Sequence, residues 1–427
     1  TSEAPHQAKK LFDFLDNLDA ATKIIWRLAV GHHDPSAYCD AGDRLVRSVG
    51  GCLMVWFETQ SCANEHHPHL VLPHTPLFRY PKQAILIAPY SQETPVHFGI
   101  FDHLDTTDQP LQLFYNNRFA YVEAADRAGI TSYHIAEHHT TPLGLSPSPN
   151  VYLSGVAQRT TNLRFGPLVY ILPEYHPLRL IEEVCMLDQM SGGRLEMGLG
   201  RGISPFEARN YGINPDDTRS MYEEYTQVLL QGLQAKAFSF AGKHYNADNL
   251  PLQMMPLQKP YPPVWLGIGN DGNAERAGKT AANCVALHNA DAVKGFVDIW
   301  RKNLPASAPK DIRFGQCFFT VIDEDGDRAM DIARTSYLKW RESFHFLYYH
   351  NGTSPVQGER AKTFDEVMAE RRGFAGTPDK AREFFAREAK ISGINYLLGQ
   401  FYFGAMDVET PLRSIDLFHK HVMPAFA

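Results

Sequence analysis

The sequence has few cysteines, no long apolar run and no excess of positive charge, and each absence excludes a class of protein. Six cysteines in 427 residues, with no CxxC pair, do not form a disulfide scaffold. No stretch approaches the roughly 20 apolar residues that a membrane-spanning helix needs. A net charge of −7 argues against a surface for nucleic acid or anionic membranes. Because a signal-peptide pattern is also missing, we expect reduced thiols and a cytoplasmic protein.

Residues 1–95 lack the regular periodicity of the rest of the chain. Only residues 11–30 have the apolar spacing of a helix. Residues 62–74 concentrate side chains that bind zinc, namely Cys62, His66, His67, His69 and His74. Their spacing lacks the CxxC and HxxxH pairs of closed zinc sites, so we predict no metal there. We expect residues 1–95 to form an irregular extension that is disordered or does not belong to the native protein.

From residue 96 onward, short apolar segments alternate with amphipathic helical ones. Near-continuous apolar character is typical of parallel strands that are covered on both faces. The predicted strands are residues 98–101, 132–136, 163–172, 194–199, 264–268, 283–288, 314–322 and 395–401. Eight β/α units in about 330 residues indicate a (β/α)8 TIM barrel over residues 96–427. Residues 236–263 and 346–376 interrupt the spacing as insertions, and the second is either a mobile lid or a surface loop.

The second predicted strand ends in a carboxylate and two imidazoles, Glu137, His138 and His139. Active sites of TIM barrels lie at the carboxyl ends of the strands. Imidazole titrates near neutral pH without perturbation, so His138 and His139 are candidates for proton transfer. The alternative is that one histidine satisfies a hydrogen-bond network and the other is solvated.

Glycine-rich segments follow the fourth and fifth predicted strands. The fourth ends in Gly-Leu-Gly-Arg-Gly, which includes Arg201, and the fifth in Gly-Ile-Gly-Asn-Asp-Gly-Asn, residues 267–273. Glycine lets the backbone approach a ligand closely, and the N–H groups at a helix start favour an anion. Arginine adds a charged fork that contacts phosphate through two hydrogen bonds. The two segments together indicate a phosphate-bearing cofactor.

A metal site is an alternative reading of the strand ends. Asp102, His103, Glu137, His138 and His139 offer enough ligands for a metal-dependent hydrolase. However, the first strand lacks the His-x-His of metal-dependent barrel hydrolases, and no later strand supplies an isolated lysine or a His–Asp pair. We therefore rank the hydrolase below the cofactor enzyme and assign no metal ligands.

Residues 96–427 resemble the bacterial-luciferase-like family of flavin-dependent monooxygenases. The resemblance depends on the joint order and spacing of several short motifs. These are Phe-Gly-Ile-Phe at 98–101, Ala-Glu-His-His at 136–139, Leu-Asp-Gln-Met-Ser-Gly-Gly-Arg at 187–194, Gly-Leu-Gly-Arg-Gly at 198–202, Gly-Thr-Pro at 376–378 and the ending at 417–424.

The resemblance implies a barrel that uses reduced FMN (FMNH2) and O2, with a flavin C4a-peroxide as the oxidising species that oxygenates a small organic substrate. It implies His138 as the catalytic residue, beside Glu137 in the same motif. It also implies a set of cofactor-binding residues: Arg201, Gly269, Asn270, Gly272 and Asn273 at the phosphate, Leu168 and Val169 under the flavin, and Glu207 near it. A separate NAD(P)H:flavin reductase and a homodimer complete the expectation.

Three departures from bacterial luciferases make light emission doubtful and leave the substrate open. Gly200 replaces their reactive cysteine, and the turn at 269–273 has fewer Glu, Ser and Thr residues than theirs. Leu168-Val169 replaces their strained Ala-Ala pair on the third strand, so a non-proline cis peptide bond under the flavin is possible but costly in energy. The alternatives that stay open are an oxidoreductase dependent on the deazaflavin coenzyme F420, the metal-dependent hydrolase, and a non-catalytic flavin-binding module.

Overall fold

The computed structural model describes residues 46–49, 52–55, 95–105, 108–355 and 359–426. The chain divides into two units, Thr1–Ala84 and Ile85–Ala427. In the first unit, strands β1 (Val46–Val49) and β2 (Cys52–Val55) pair antiparallel. The helix expected over residues 11–30 and the cluster of zinc-binding residue types at 62–74 lie outside the described residues.

The second unit contains a barrel of parallel strands with helices around it, so the predicted TIM barrel is confirmed. The further strands in chain order are β3 (His97–Asp102), β4 (Ser132–Ile135), β5 (Arg164–Pro167), β6 (Tyr170–Ile171), β7 (Met197–Gly200), β8 (Ala237–Ala241), β9 (Asn246–Pro251), β10 (Val264–Ile268), β11 (Asn283–Ala286), β12 (Phe314–Ile322), β13 (Gly373–Gly376) and β14 (Tyr396–Gln400). Around the barrel the order is β3, β4, β5/β6, β7, β10, β11, β12 and β14, and β14 pairs with β3. A parallel bridge between Phe165 and Leu195 joins β5 to the segment before β7.

Helices follow most of the barrel strands and cover their outer faces. They are α1 (Leu111–Arg127), α2 (Pro149–Arg159), α3 (Pro177–Met190), α4 (Pro205–Asn210), α5 (Thr218–Gly232), α6 (Asp271–Lys279), α7 (Ala290–Asn303), α8 (Gly326–His350), α9 (Phe364–Ala369), α10 (Pro378–Ser392) and α11 (Glu409–Leu417). Proline in the first turn begins several of them, because its missing N–H is not needed there. None of the helices in the described residues is long and apolar enough to cross a membrane.

The third barrel strand differs from the prediction of one strand over residues 163–172. It is divided into β5 and β6, and the Leu168–Val169 peptide bond between them is cis, at the place that the resemblance implied. Both residues line the inside of the barrel mouth. The prediction of a continuous strand was therefore wrong at this point.

Both predicted insertions contain regular structure that the sequence pattern did not reveal. Within residues 236–263, β8 and β9 form an antiparallel hairpin. Within residues 346–376, α8 continues to residue 350, α9 follows, and β13 pairs parallel with the carboxyl-terminal half of β12. The sequence of β13, Gly-Phe-Ala-Gly, has no β-branched residue, so its strand conformation comes from pairing with β12 and not from intrinsic propensity.

A buried ion-pair cluster lies at the end of β3. Nη1 of Arg118 on α1 lies 2.8 Å from Oδ1 of Asp102, and Nη2 lies 3.5 Å from Oδ1 of Asp105. The side chains of Arg118 and Asp102 are fully buried. The guanidinium also lies 3.4 Å from the ring centroid of Tyr402. This cluster ties the first barrel strand to the first helix and to the segment after the last strand.

Candidate active site

A cavity of about 1040 Å³ opens where the barrel strands end. Its lining comes from segments after β3, β4, β7, β10 and β11, which reach the same rim because all of these strands are parallel. Most of the residues predicted from the sequence line it: Glu137, His138, Leu168, Val169, Arg201, Glu207, Gly269, Asn270 and Asn273. Gly272 does not line the cavity and lies in the first turn of α6.

His138 is oriented by Glu207, a residue 69 positions further along the chain. Its Nδ1 lies 3.1 Å from Oε1 of Glu207, which also accepts the backbone N–H of His139 at 2.8 Å. Glu207 lies in the first turn of α4 and is buried, and its other oxygen has no hydrogen-bond partner among the described residues. Because the carboxylate accepts, Nδ1 carries a proton and Nε2 of neutral His138 is left to accept one.

A second imidazole, His103, is stacked on His138. The two ring centroids are 5.9 Å apart and the planes differ by 12°. Nδ1 of His103 accepts hydrogen bonds from Nε2 of Gln400 at 3.1 Å and from Nε1 of Trp340 at 3.4 Å. Burial holds the pKa of His103 well below its ordinary value, and the neighbouring His138 and Arg360 lower it further. His103 is therefore neutral, with its proton on Nε2.

Glu137 and His139 form a separate network beside this pair. Oε1 of Glu137 lies 3.0 Å from Nε2 of His139, and Oε2 accepts the backbone N–H of Ile171 at 2.9 Å. His139 also contacts Oε2 of Glu174 at 3.3 Å and the hydroxyl of Tyr211 at 2.8 Å. The carboxylate of Glu137 therefore contacts His139 and the backbone of Ile171, whereas the carboxylate that contacts His138 is that of Glu207.

This network retains a proton near neutral pH. Burial, with smaller contributions from Glu207 and Glu137, raises the pKa of Glu174 to about 8, although His139 opposes the shift. Burial lowers the pKa of His139, but its hydrogen bond with Glu137 and the surrounding carboxylates raise it further, so the net pKa is raised. Whichever group holds it, the folded cluster keeps a proton that the unfolded chain releases below pH 7.

We expect the free energy of unfolding to fall as pH rises from about 6.5 to 8, because the folded state binds more protons than the unfolded state in this window. Replacing Glu174 by glutamine should make this pH dependence shallower. Urea unfolding at several pH values measures the slope, with Glu342→Gln, an exposed site, as the matched control. Equal slopes in wild type and Glu174→Gln would contradict the assignment.

A cationic region lines the part of the cavity around β7 and β10. Arg201 follows β7, and its only hydrogen bond to a described residue is a long one, 3.4 Å, to Oγ1 of Thr218. After β10, Asn270 caps α6 by accepting the N–H of Asn273 at 3.0 Å. A Cβ added to Gly269 would meet no atom within 4 Å, so the backbone there faces open space. These residues fit a phosphate group.

Two further arginines in this region were not predicted from the sequence. Nη2 of Arg276 donates to Oδ1 of Asn273 at 2.7 Å, and Arg276 forms no ion pair within the described part of the chain. Arg219 pairs with Glu223 one helical turn away, with an N–O distance of 3.3 Å. Both line the cavity. Arg219 lies near the start of helix α5 and Arg276 lies on helix α6. The sequence could show that they face the cavity only once the arrangement of these helices around the barrel is known.

The structure explains why Gly200 has no side chain. A Cβ at this position would lie 2.1 Å from Cγ2 of Val169, which lies between β5 and β6. No larger residue fits unless the backbone or Val169 moves. The cysteine that bacterial luciferases carry here therefore cannot be accommodated beside Val169 in this conformation.

The metal alternative is not supported by the geometry of the proposed ligands. Asp102 is paired with Arg118, and Glu137 is paired with His139. Across residues 95–105, 108–355 and 359–426, no three His, Cys, Asp or Glu side chains are grouped as metal ligands.

Residues 96–395 match the family model described as luciferase-like monooxygenase. The chain belongs to the luciferase-like monooxygenase family. This family member is 37% identical over 329 residues to the uncharacterized protein y4wF of Sinorhizobium fredii, which covers 76% of this chain and 96% of that one. It is 24% identical over 360 residues to the oxygenase component of flavin-dependent trigonelline monooxygenase of Acinetobacter baylyi, with coverages of 78% and 96%. The alkanal monooxygenase alpha chain of the Kryptophanaron alfredi symbiont is 23% identical over 327 residues, with coverages of 71% and 90%.

Solved structures share the fold of this family member. Monooxygenase RslO1 of Streptomyces bottropensis superposes with a TM-score of 0.70 at 22% identity, covering 78% of this chain and all of that one. The oxygenating constituent of 3,6-diketocamphane monooxygenase of Pseudomonas putida, in complex with FMN, superposes with a TM-score of 0.65 at 19% identity. The match covers 77% of this chain and 98% of that one. An F420-dependent secondary alcohol dehydrogenase superposes with a TM-score of 0.58 at 17% identity, covering 78% of this chain and 99% of that one. The fold thus serves both FMN and F420.

Proposed function

We propose that this protein is an FMNH2-dependent monooxygenase that uses O2 to oxygenate a small organic substrate. The observation that carries the proposal is that one cavity contains both a cationic region, with Arg201 and the turn at Gly269–Asn270, and the oriented imidazole of His138. A phosphate-bearing flavin needs the first feature, and proton transfer near its ring needs the second.

The chain's own residues divide the work as follows. Arg201, Asn270 and Asn273 would hold the phosphate, and the Leu168–Val169 segment would support the ring. When bound, reduced FMN together with O2 would supply the oxidising equivalent. His138 accepts or delivers a proton at Nε2, while Glu207 holds the proton on Nδ1 and fixes the orientation of the imidazole.

The proposed oxygenase needs a separate source of reduced flavin. The relative from Acinetobacter baylyi is named as an oxygenase component, which implies a partner that supplies reducing equivalents to it. We therefore include a separate NAD(P)H:flavin reductase and, as in the expectation from sequence, a homodimer in the proposal. Gel filtration tests the dimer.

The second candidate is an F420-dependent oxidoreductase, which the F420-dependent structural neighbours favour. Anaerobic titration of the purified chain with reduced FMN and with reduced F420 separates the two. We expect FMN to bind at least about tenfold more tightly. Tighter binding of F420, or no oxygenated product with FMN, NADH, a flavin reductase, O2 and a substrate panel, would overturn the monooxygenase assignment.

Replacing Arg201 by methionine should weaken FMN binding by about 10- to 100-fold, because a charge-assisted hydrogen bond contributes about 1.5–3 kcal/mol. Riboflavin lacks the phosphate, so its affinity should change little. Fluorescence titration of wild type and variant with both ligands measures this difference. A parallel loss for riboflavin would show that Arg201 supports the ring or the fold and not the phosphate.

A further inference from the structure

Arg360 is a cavity residue whose guanidinium forms no ion pair with any residue that the structure describes. It lies between α8 and β13, and its backbone N–H donates to Nε2 of His345 at 3.4 Å. Its guanidinium carbon lies 4.5 Å from the ring centroid of Phe344, and Arg360 lines the cavity. Among the described residues, no side chain forms a hydrogen bond or an ion pair with this guanidinium.

Neighbouring arginines differ from Arg360 in this respect. Arg372 pairs with Glu370 at 2.6 Å, and Arg341 pairs with Glu359 at 3.2 Å. Burial, and then the positive charge of Arg372, lower the pKa of Arg360. An arginine nevertheless stays charged. Arg360 is only part-buried, so its guanidinium is accessible to an anionic ligand in the cavity.

The position of Arg360 separates it from the proposed phosphate site. Arg201 follows β7, whereas the Arg360 segment leads into β13, which pairs with β12, three places away around the barrel. On the Arg360 side, a series of ring contacts leads toward His138. The distances between ring centroids are 5.1 Å from Phe344 to Trp340, 5.5 Å from Trp340 to His103, and 5.9 Å from His103 to His138.

We propose that Arg360 binds a carboxylate of the substrate, so that this protein acts on a small organic carboxylic acid. The planar fork of arginine matches a carboxylate through two parallel hydrogen bonds. The ring of Phe344 holds the guanidinium from one side and leaves its edge for the ligand. Between this subsite and His138, the neutral His103 lines the cavity. The carboxylate would therefore fix the end of the substrate that lies away from the proton-transferring imidazole.

The assignment rests on the proposed function, since the acid would share the cavity with the flavin, but its test requires no turnover. Isothermal titration of the full chain without flavin uses benzoate and hexanoate, each beside its neutral amide. We expect at least one acid to bind about tenfold or more tightly than its amide. Arg360→Met should abolish this preference, and Arg360→Lys should restore part of it because the charge returns without the fork.

Matched controls separate binding from stability and from the flavin site. Arg334→Met, at an exposed pair with Asp365, should leave acid binding unchanged. The melting temperature of Arg360→Met should stay close to that of wild type, because the guanidinium forms no ion pair or hydrogen bond with a described residue. FMN affinity of Arg360→Met should stay within about threefold of wild type.

Four results would overturn the carboxylate subsite. These are equal binding of acids and amides by wild type, an unchanged preference in Arg360→Met, a loss of FMN affinity as large as that of Arg201→Met, or tighter binding of benzenesulfonate than of benzoate. If the acid preference holds while FMN does not bind, the subsite stands and the proposed monooxygenase function fails.

Discussion

Replacing His138 by alanine should lower the rate of substrate oxygenation by about 10²- to 10⁴-fold, the usual contribution of a general acid–base residue. The loss is expected because neither of the two neighbouring imidazoles, His103 and His139, can take its place. His103 is neutral with Nδ1 engaged by Gln400 and Trp340, and His139 is engaged by Glu137. FMN affinity should change little, and O2 should be reduced to hydrogen peroxide without product formation. Stopped-flow kinetics, product analysis and a peroxide assay with a flavin reductase measure the three effects.

Two variants place this result in context. Glu207→Gln keeps the size of the side chain but removes the carboxylate charge at Nδ1 of His138, so its rate should fall between wild type and His138→Ala. Its pH profile should also shift, which a merely structural role would not produce. His419→Ala, at an exposed position, should behave as wild type. Full coupling of O2 consumption to product in His138→Ala would exclude His138 from the chemistry.

Replacing Arg118 by methionine should reduce the free energy of unfolding by about 3–5 kcal/mol, because the buried Asp102 and Asp105 lose their countercharge. Burial raises the pKa of Asp105 to about 7 even though Arg118 opposes it. Without Arg118, Asp105 should take up a proton more readily, so the destabilisation should be smaller at acidic pH. Urea unfolding of wild type and variant at pH 5 and pH 8 measures both effects.

A double variant tests the cause of this loss. Adding Asp102→Asn to Arg118→Met removes one uncompensated charge while leaving a side chain that can still accept from the backbone N–H of Leu104, so part of the stability should return. The exposed Arg334–Asp365 pair is the matched control, and Arg334→Met should change the free energy of unfolding much less than Arg118→Met does. Equal losses at the two sites would mean that burial does not decide the contribution of Arg118.

The alternation of apolar segments and helices was sufficient to predict the barrel, because parallel strands covered on both faces leave near-continuous apolar runs in the sequence. The same pattern predicted that the ends of distant strands share one rim, which brought His138 and Arg201 to one cavity. It failed at β13 and at the hairpin of β8 and β9. These elements depend on pairing with a neighbour, and their composition does not favour strands.

The sequence predicted which residues lie in the candidate site better than it predicted their contacts. Glu137 stands beside His138 in the sequence, yet successive residues point in different directions and its carboxylate contacts His139. Glu207 was expected near the flavin, and the structure adds that it contacts His138. Arg360 gave no sequence signal, since an arginine in a polar segment is ordinarily solvated.

The sequence by itself determined where strands and helices alternate, and hence which polar residues lie at the rim of the barrel. Only the tertiary structure decided which of those residues contact each other. Hydrogen bonds and ion pairs between segments far apart in the chain need donor–acceptor distances of about 3 Å, correct to a few tenths of an ångström, and a linear pattern carries no such distances.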